Sequence, residues 1–180
     1  MRAVVLVEGQ SDLVALLTLA RRRGRDLAAE GVAVVAMGGV TNAYAYLQRY
    51  GSRGVHLAGL YDAAEEPRMH AALARSGVAT DCFFGCDPDL EYELIRALGV
   101  EAVEAVIERE GESRSLRLLA GMPAQQHWSR VEVLHRFIGA RAGRKARYAG
   151  LLVEALDLSA VPRPLDAVLE CARKCAAPPP

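Results

Sequence analysis

The chain lacks a charge excess: 22 Lys and Arg stand against 22 Asp and Glu, with a pI of about 6.9. No global field therefore draws it onto nucleic acid or an anionic membrane, and such a partner has to be met by a local patch. It also lacks any apolar run near the roughly 18 residues a membrane-crossing helix needs, and its N-terminus shows no signal-peptide pattern. These absences predict a cytoplasmic chain without membrane contact. Aromatic residues make up 6%, and Trp128 is the one tryptophan. They do not interleave with basic residues, which argues against a base-stacking platform for single strands. Four histidines (His56, His70, His127, His135) are scattered, with no HxxxH and no partnered Ser or Cys motif. A histidine-based triad has no support.

Cysteine is scarce too. The four fall as Cys82-x3-Cys86 and Cys171-x3-Cys175, and neither pair has CxxC spacing. Cys82 and Cys86 lie in a predicted strand, where four residues span about 13 Å, too far to share a tetrahedral zinc easily. The expectation is buried free thiols rather than a zinc site or a disulfide. Lysine is scarcer still, with two against 20 Arg.

What is present is a core. With 52% hydrophobic residues in 180, the chain fits one domain, or one domain with an appendage. Apolar runs bounded by turns occur at residues 3–7, 32–37, 55–61 and 82–85, separated by helical patterns at 12–29, 41–50 and 65–75. Short buried strands alternating with amphipathic helices imply an α/β fold with a mainly parallel four-stranded sheet, helices on both faces. From Leu90 the strands stop, and helical periodicity continues at 90–98, 100–110, 130–138, 145–156 and 165–174. The expected organisation is an α/β domain over 1–100, a helical extension packed on it over 101–175, and a disordered tail over 176–180.

This layout gives the acids a place. Ligands of an open parallel sheet bind outside the carboxyl ends of its strands. Glu8 ends the first run, Gly38-Gly39 the second and Asp62 the third, while Asp87, Asp89 and Glu91 follow the fourth. Carboxylates crowded on one rim repel one another unless a cation neutralises them, and oxygen ligands suit Mg²⁺ or Mn²⁺. Taken singly, Asp12, Glu65 and Glu91 also read as first-turn residues that complement a helix dipole. Glu8 does not, because it belongs to the strand's apolar end.

"VEGQSD", "MGGVTN", "LYDAAEE" and "DPDLEYELIRALG", in this order after successive strands, resemble a Toprim domain. More narrowly, they are similar to the Toprim nuclease region of the OLD (overcoming lysogenization defect) family. The likeness runs from about Val4 to Leu98 and recurs weakly at "GRKARYAGLLVEAL". It implies a Toprim-like, Rossmann-like fold and a divalent-metal-dependent nuclease or related phosphoryl-transfer enzyme, with two Mg²⁺ or Mn²⁺ ions clamping a phosphodiester. Carried over by position, Glu8, Asp12, Asp62 and Glu91 are the implied metal ligands. Glu8 and Lys145 are the implied catalytic groups, Lys145 countering charge in the transition state. Arg141, Arg144 and Arg147 around it are expected to contact phosphates. Arg21, Arg22, Arg23 and Arg25, at the far end of the first helix, are expected to form a solvated helix end.

The sequence departs from the family pattern in two ways. The second acid of the family's DxD motif is replaced by Ala64, which leaves the second ion short of a ligand. No GxxxxGK[ST] occurs, so any ATPase is expected as a separate subunit. The implied partner is nucleic acid, DNA in preference to RNA. The alternative is a catalytically degenerate Toprim-like module that binds nucleic acid or a partner protein.

Overall fold

The computed structural model describes residues 1–141 and 143–176. Its centre is a four-stranded, all-parallel sheet in the order β2-β1-β3-β4, formed by β1 (Ala3–Val7), β2 (Val32–Ala36), β3 (His56–Asp62) and β4 (Phe83–Cys86). β1 lies between two neighbours and under helices on both faces, so all five residues of AVVLV are buried. This explains why it reads as a continuous apolar run instead of alternating. Val4 and Leu6 point into a smaller cluster closed by α2 (Ala43–Gly51) and α3 (Glu66–Ser76). Ala3, Val5 and Val7 point into a larger one. The sheet admits one necessary glycine. A Cβ on Gly59 would stand 2.6 Å from the Phe83 ring and 2.9 Å from the Leu6 carbonyl.

The larger cluster is built by α1 (Gln10–Arg22), α4 (Leu90–Leu98), α5 (Val100–Arg109), α6 (Ser113–Ala120), α7 (Arg130–Gly139), α8 (Arg144–Ala155) and α9 (Arg163–Ala176). The helices beyond residue 100 thus share one core with the sheet. α8 lies along α1, and Gly150 permits the approach, since a Cβ there would meet Val14 Cγ1 at 3.0 Å. α9 crosses the same face against β1, β3 and β4. It runs through Ala176; the rest of the expected disordered tail lies outside the described residues. No helix among these residues is long and apolar enough to cross a membrane.

Some expectations change. α1 ends at Arg22 instead of about Ala29, because Gly24 takes a left-handed turn (φ +67) and the chain folds back to bury Leu27. α6 is an addition to the expected helices: Leu116 is buried with Leu119 and Ala120 packed beside it, but the stripe is short and broken by Leu118, which is 62% exposed. Of the four arginines at the end of α1, Arg21 stays largely in solvent as expected, but the other three are mostly buried against neighbours. Arg21 pairs with Glu154, and Arg22 Nη1 donates to the Val153 and Leu156 carbonyls at 2.7 Å each. Arg23 meets Asp166 at 2.6 Å and Arg25 meets Glu30 at 2.6 Å. The free-thiol expectation fails for one pair. Cys82 and Cys171 form a disulfide, with Cα atoms 5.8 Å apart, whereas Cys86 and Cys175 are free. The partner lies 89 residues away, so sequence spacing gives no hint of it.

Candidate metal centre

β1 and β3 are adjacent and parallel, so the residues that leave their carboxyl ends are neighbours. Glu8 follows β1 and Asp62 ends β3. Gly9 caps α1, and its N–H donates to Asp12 Oδ2 at 2.8 Å. Asp12 therefore does serve the first turn, yet it is buried on the same rim. β4 leads into α4, whose N-cap Asp89 accepts from the Tyr92 N–H at 2.9 Å. In the first turn of α4, Glu91 is 1% exposed. The first turn of α8 brings Lys145, with Nζ 2.9 Å from Glu91 Oε2. Together Glu8, Asp12, Asp62, Lys145 and the turn glycines Gly38 and Gly39 line a cavity of about 470 Å³.

The electrostatics are those of crowded acids. Burial, then the charge of Glu8 and Asp12, pushes the Asp62 carboxyl up to about 7. Burial, then Asp12 and Glu65, raises Glu8. Asp12 rises through burial in spite of the Gly9 N–H. Glu91 is raised by burial, with Lys145 opposing. Burial disfavours the Lys145 ammonium, but Glu91, Asp62 and Asp89 outweigh it and hold the lysine protonated. Glu8 Oε2 and Glu91 Oε1 are buried without a hydrogen-bond partner among the described residues. A buried, unpartnered carboxylate oxygen facing further acids is costly unless a cation joins it. Glu8, Asp12, Asp62 and Glu91 all offer oxygen, which fits Mg²⁺ or Mn²⁺.

Residues 1–63 match the family model described as overcoming lysogenization defect protein-like, TOPRIM domain. The stretch from β1 to the end of β3 is thus similar to an OLD-like Toprim domain. In fold, the chain is similar over nearly its whole length to the C-terminal region of the Burkholderia pseudomallei OLD protein, with a TM-score of 0.73, 21% identity and 98% of each chain covered. It is similar as well to the C-terminal region of the Xanthomonas campestris pv. campestris OLD protein, with a TM-score of 0.71, 22% identity and 97% of this chain and 96% of that one covered. No curated protein matches.

The other expected site residues sit less simply. Ala64 lies exposed in a 3-10 turn after β3 and offers no ligand, while neighbouring Glu65 pairs with Arg68 and adds its charge to that at Glu8. Of the three arginines expected on phosphates, Arg141 is exposed. Arg144 is buried, pairing with Glu112, donating to the Phe137 carbonyl at 3.0 Å and lying 4.1 Å over the Phe137 ring. Arg147 is half exposed but shared between Glu112 and Glu110. His135 joins the site without a sequence signal. Its Nε2 lies 2.6 Å from Asp89 Oδ2, and with Asp89 and Glu91 it forms a group whose donor atoms lie within 4.8 Å. Burial opposes ionisation of Asp89, but the His135 and Tyr92 contacts prevail and hold its carboxyl below the usual range.

Proposed function

We propose that this chain is a divalent-metal-dependent nuclease, or a related phosphoryl-transfer enzyme, acting on nucleic acid, with DNA favoured over RNA. The observation that carries the reading is the unpartnered, buried Glu8 oxygen set against Asp12 and Asp62 in one open cavity. Glu8 and Asp62 are the ligands assigned to one ion, and Asp12 and Glu91 those assigned to the second. When bound, such ions supply a nucleophilic water at neutral pH and charge neutralisation at the phosphate. The chain's own groups do the remainder. Asp62, poised near 7, gives up its proton as a cation arrives. Lys145 is kept charged by Glu91 and remains 45% exposed to the cavity, so its ammonium can face charge developing on a bound phosphodiester. Asp89 and His135 fix the start of α4 and hence the position of Glu91. Gly38 and Gly39 both adopt positive φ and leave the rim open to close backbone approach.

One observation favours the second reading, a degenerate module that binds without turnover. Ala64 leaves one ion short of a ligand, and Mg²⁺, which demands near-ideal octahedral coordination, suffers most. Cleavage is therefore expected to be slow and better supported by Mn²⁺, and Ala64→Asp to raise the Mg²⁺-supported rate. The test is incubation of supercoiled plasmid and structured RNA with the protein and each ion. Glu8→Ala is expected to abolish cleavage with both ions. If neither substrate is cut under any ion and Glu8→Ala behaves as the unaltered chain, the binding-module reading replaces this one.

A further inference from the structure

We propose that Cys82, Cys171 and Cys175 form a second metal site, for a thiophilic divalent cation of the Zn²⁺ class, at the amino ends of the strands. Their sulfurs all lie within 4.8 Å of one another. A tetrahedral zinc with Zn–S near 2.3 Å places its sulfurs about 3.8 Å apart, so small side-chain rotations suffice. The arrangement has a simple origin. Cys171 and Cys175 are one turn apart on α9 and share a face. α9 crosses the sheet against β4, and Cys82 immediately precedes that strand. All three side chains are half-buried. A cavity of about 330 Å³, lined by His56, Asp81, Cys82 and Cys175 among others, leaves a fourth coordination position open to an imidazole, a carboxylate or water. His56 is two residues from Ala58, which faces the core beneath α9, so alternation sends the His56 side chain to the same face.

The Cys82–Cys171 disulfide is the oxidised, metal-free form of this site. A disulfide alone accounts for two sulfurs. It does not account for the third, one turn further along the same helix face and within reach of both. A dithiol reductant converts the pair to two thiols while becoming a disulfide itself. Binding of the cation then releases the thiol protons and leaves thiolates as ligands. The same three sulfurs thus fasten α9 to β4 by a covalent bond in oxidising surroundings and by a metal in reducing ones.

Cobalt reports the site, because thiolate-to-Co²⁺ charge transfer and intense tetrahedral d–d bands do not arise from the oxygen ligands at the carboxyl rim. The full chain is reduced with a non-chelating phosphine, freed of reductant without air and titrated with Co²⁺, then with Zn²⁺. One equivalent of thiolate-bound Co²⁺, displaced by Zn²⁺, is expected for the reduced chain and none for the oxidised one. Cys175→Ser and Cys175→Ala, changes at a half-exposed helix position, should each weaken binding at least about tenfold. Absence of the thiolate bands from the reduced chain, or unweakened binding in both Cys175 variants, would overturn the proposal.

Discussion

At the amino ends of the strands, arginines and acids are matched one for one: Arg21 with Glu154, Arg23 with Asp166, Arg25 with Glu30, while Arg22 is held by two backbone carbonyls. At the carboxyl ends, Glu8, Asp12, Asp62, Asp89 and Glu91 gather with Lys145 as their close cation. The same sheet supports both ends, so the contrast does not come from topology. One end spends its charged groups on binding α1 to α8 and α9. The other holds like charges together at a cost to folding, and such a cost persists where a ligand is meant to relieve it. A surface built for stability satisfies its own charges; a surface built for binding leaves them to something else.

The sharpest break in this comparison is Lys145→Ala. It removes the counter-charge from the acidic end, and turnover on plasmid should fall about a hundredfold while affinity for the uncut plasmid changes little, read as a split between kcat and Kd. Arg22→Ala attacks the other end. It orphans the Val153 and Leu156 carbonyls and should lower unfolding free energy by about 2 kcal/mol in urea titration, with cleavage per folded molecule unaltered. Asp62→Asn tests whether the rim costs stability. The folded carboxyl titrates at about 7 against 3.8 when free, so the folded state binds the proton more tightly. Its contribution is fully present below about pH 4 and is lost as pH rises to about 7. Without divalent ions, Asp62→Asn should therefore match the unaltered chain at pH 4 and exceed it by about 2 kcal/mol at pH 8. That is roughly half of the ~4 kcal/mol the full shift would give, because solvent screens this partly exposed carboxyl. The smallest effect is expected at Arg141→Ala, which should flatten the salt dependence of DNA binding by about one unit. Arg144→Ala should instead lower Tm, because its partners are internal.

Much of this was readable from residues alone. The four strands announce themselves because burial on both faces writes continuous apolar runs, and the runs end on Glu8 and Asp62, charges no core would tolerate. Lys145 stands out against a chain that otherwise uses arginine. What escaped depends on partners distant in sequence. His135 meets Asp89 across 46 positions, with no local motif to mark it. Arg144 looks like its exposed neighbours in "RAGRKAR", and only the position of Glu112 turns it inward. Cys171 finds Cys82 because α9 crosses β4, a long-range packing fact. Local pattern reports which face is buried; it does not report what lies on the other side of the contact.

Lys145 reaches the acids from α8, a helix held in place by its packing against α1 through Gly150. The acids precede it by more than fifty residues, all of them present once α4 has left the ribosome. A nascent chain at that stage carries the carboxylates but neither the lysine nor the helix that aims it. The acids are therefore made before the lysine that balances them, and a half-made chain holds the carboxylates without their close cation. Under the proposed nuclease reading, the order of elements along the chain withholds phosphodiester chemistry until α8 has packed on α1.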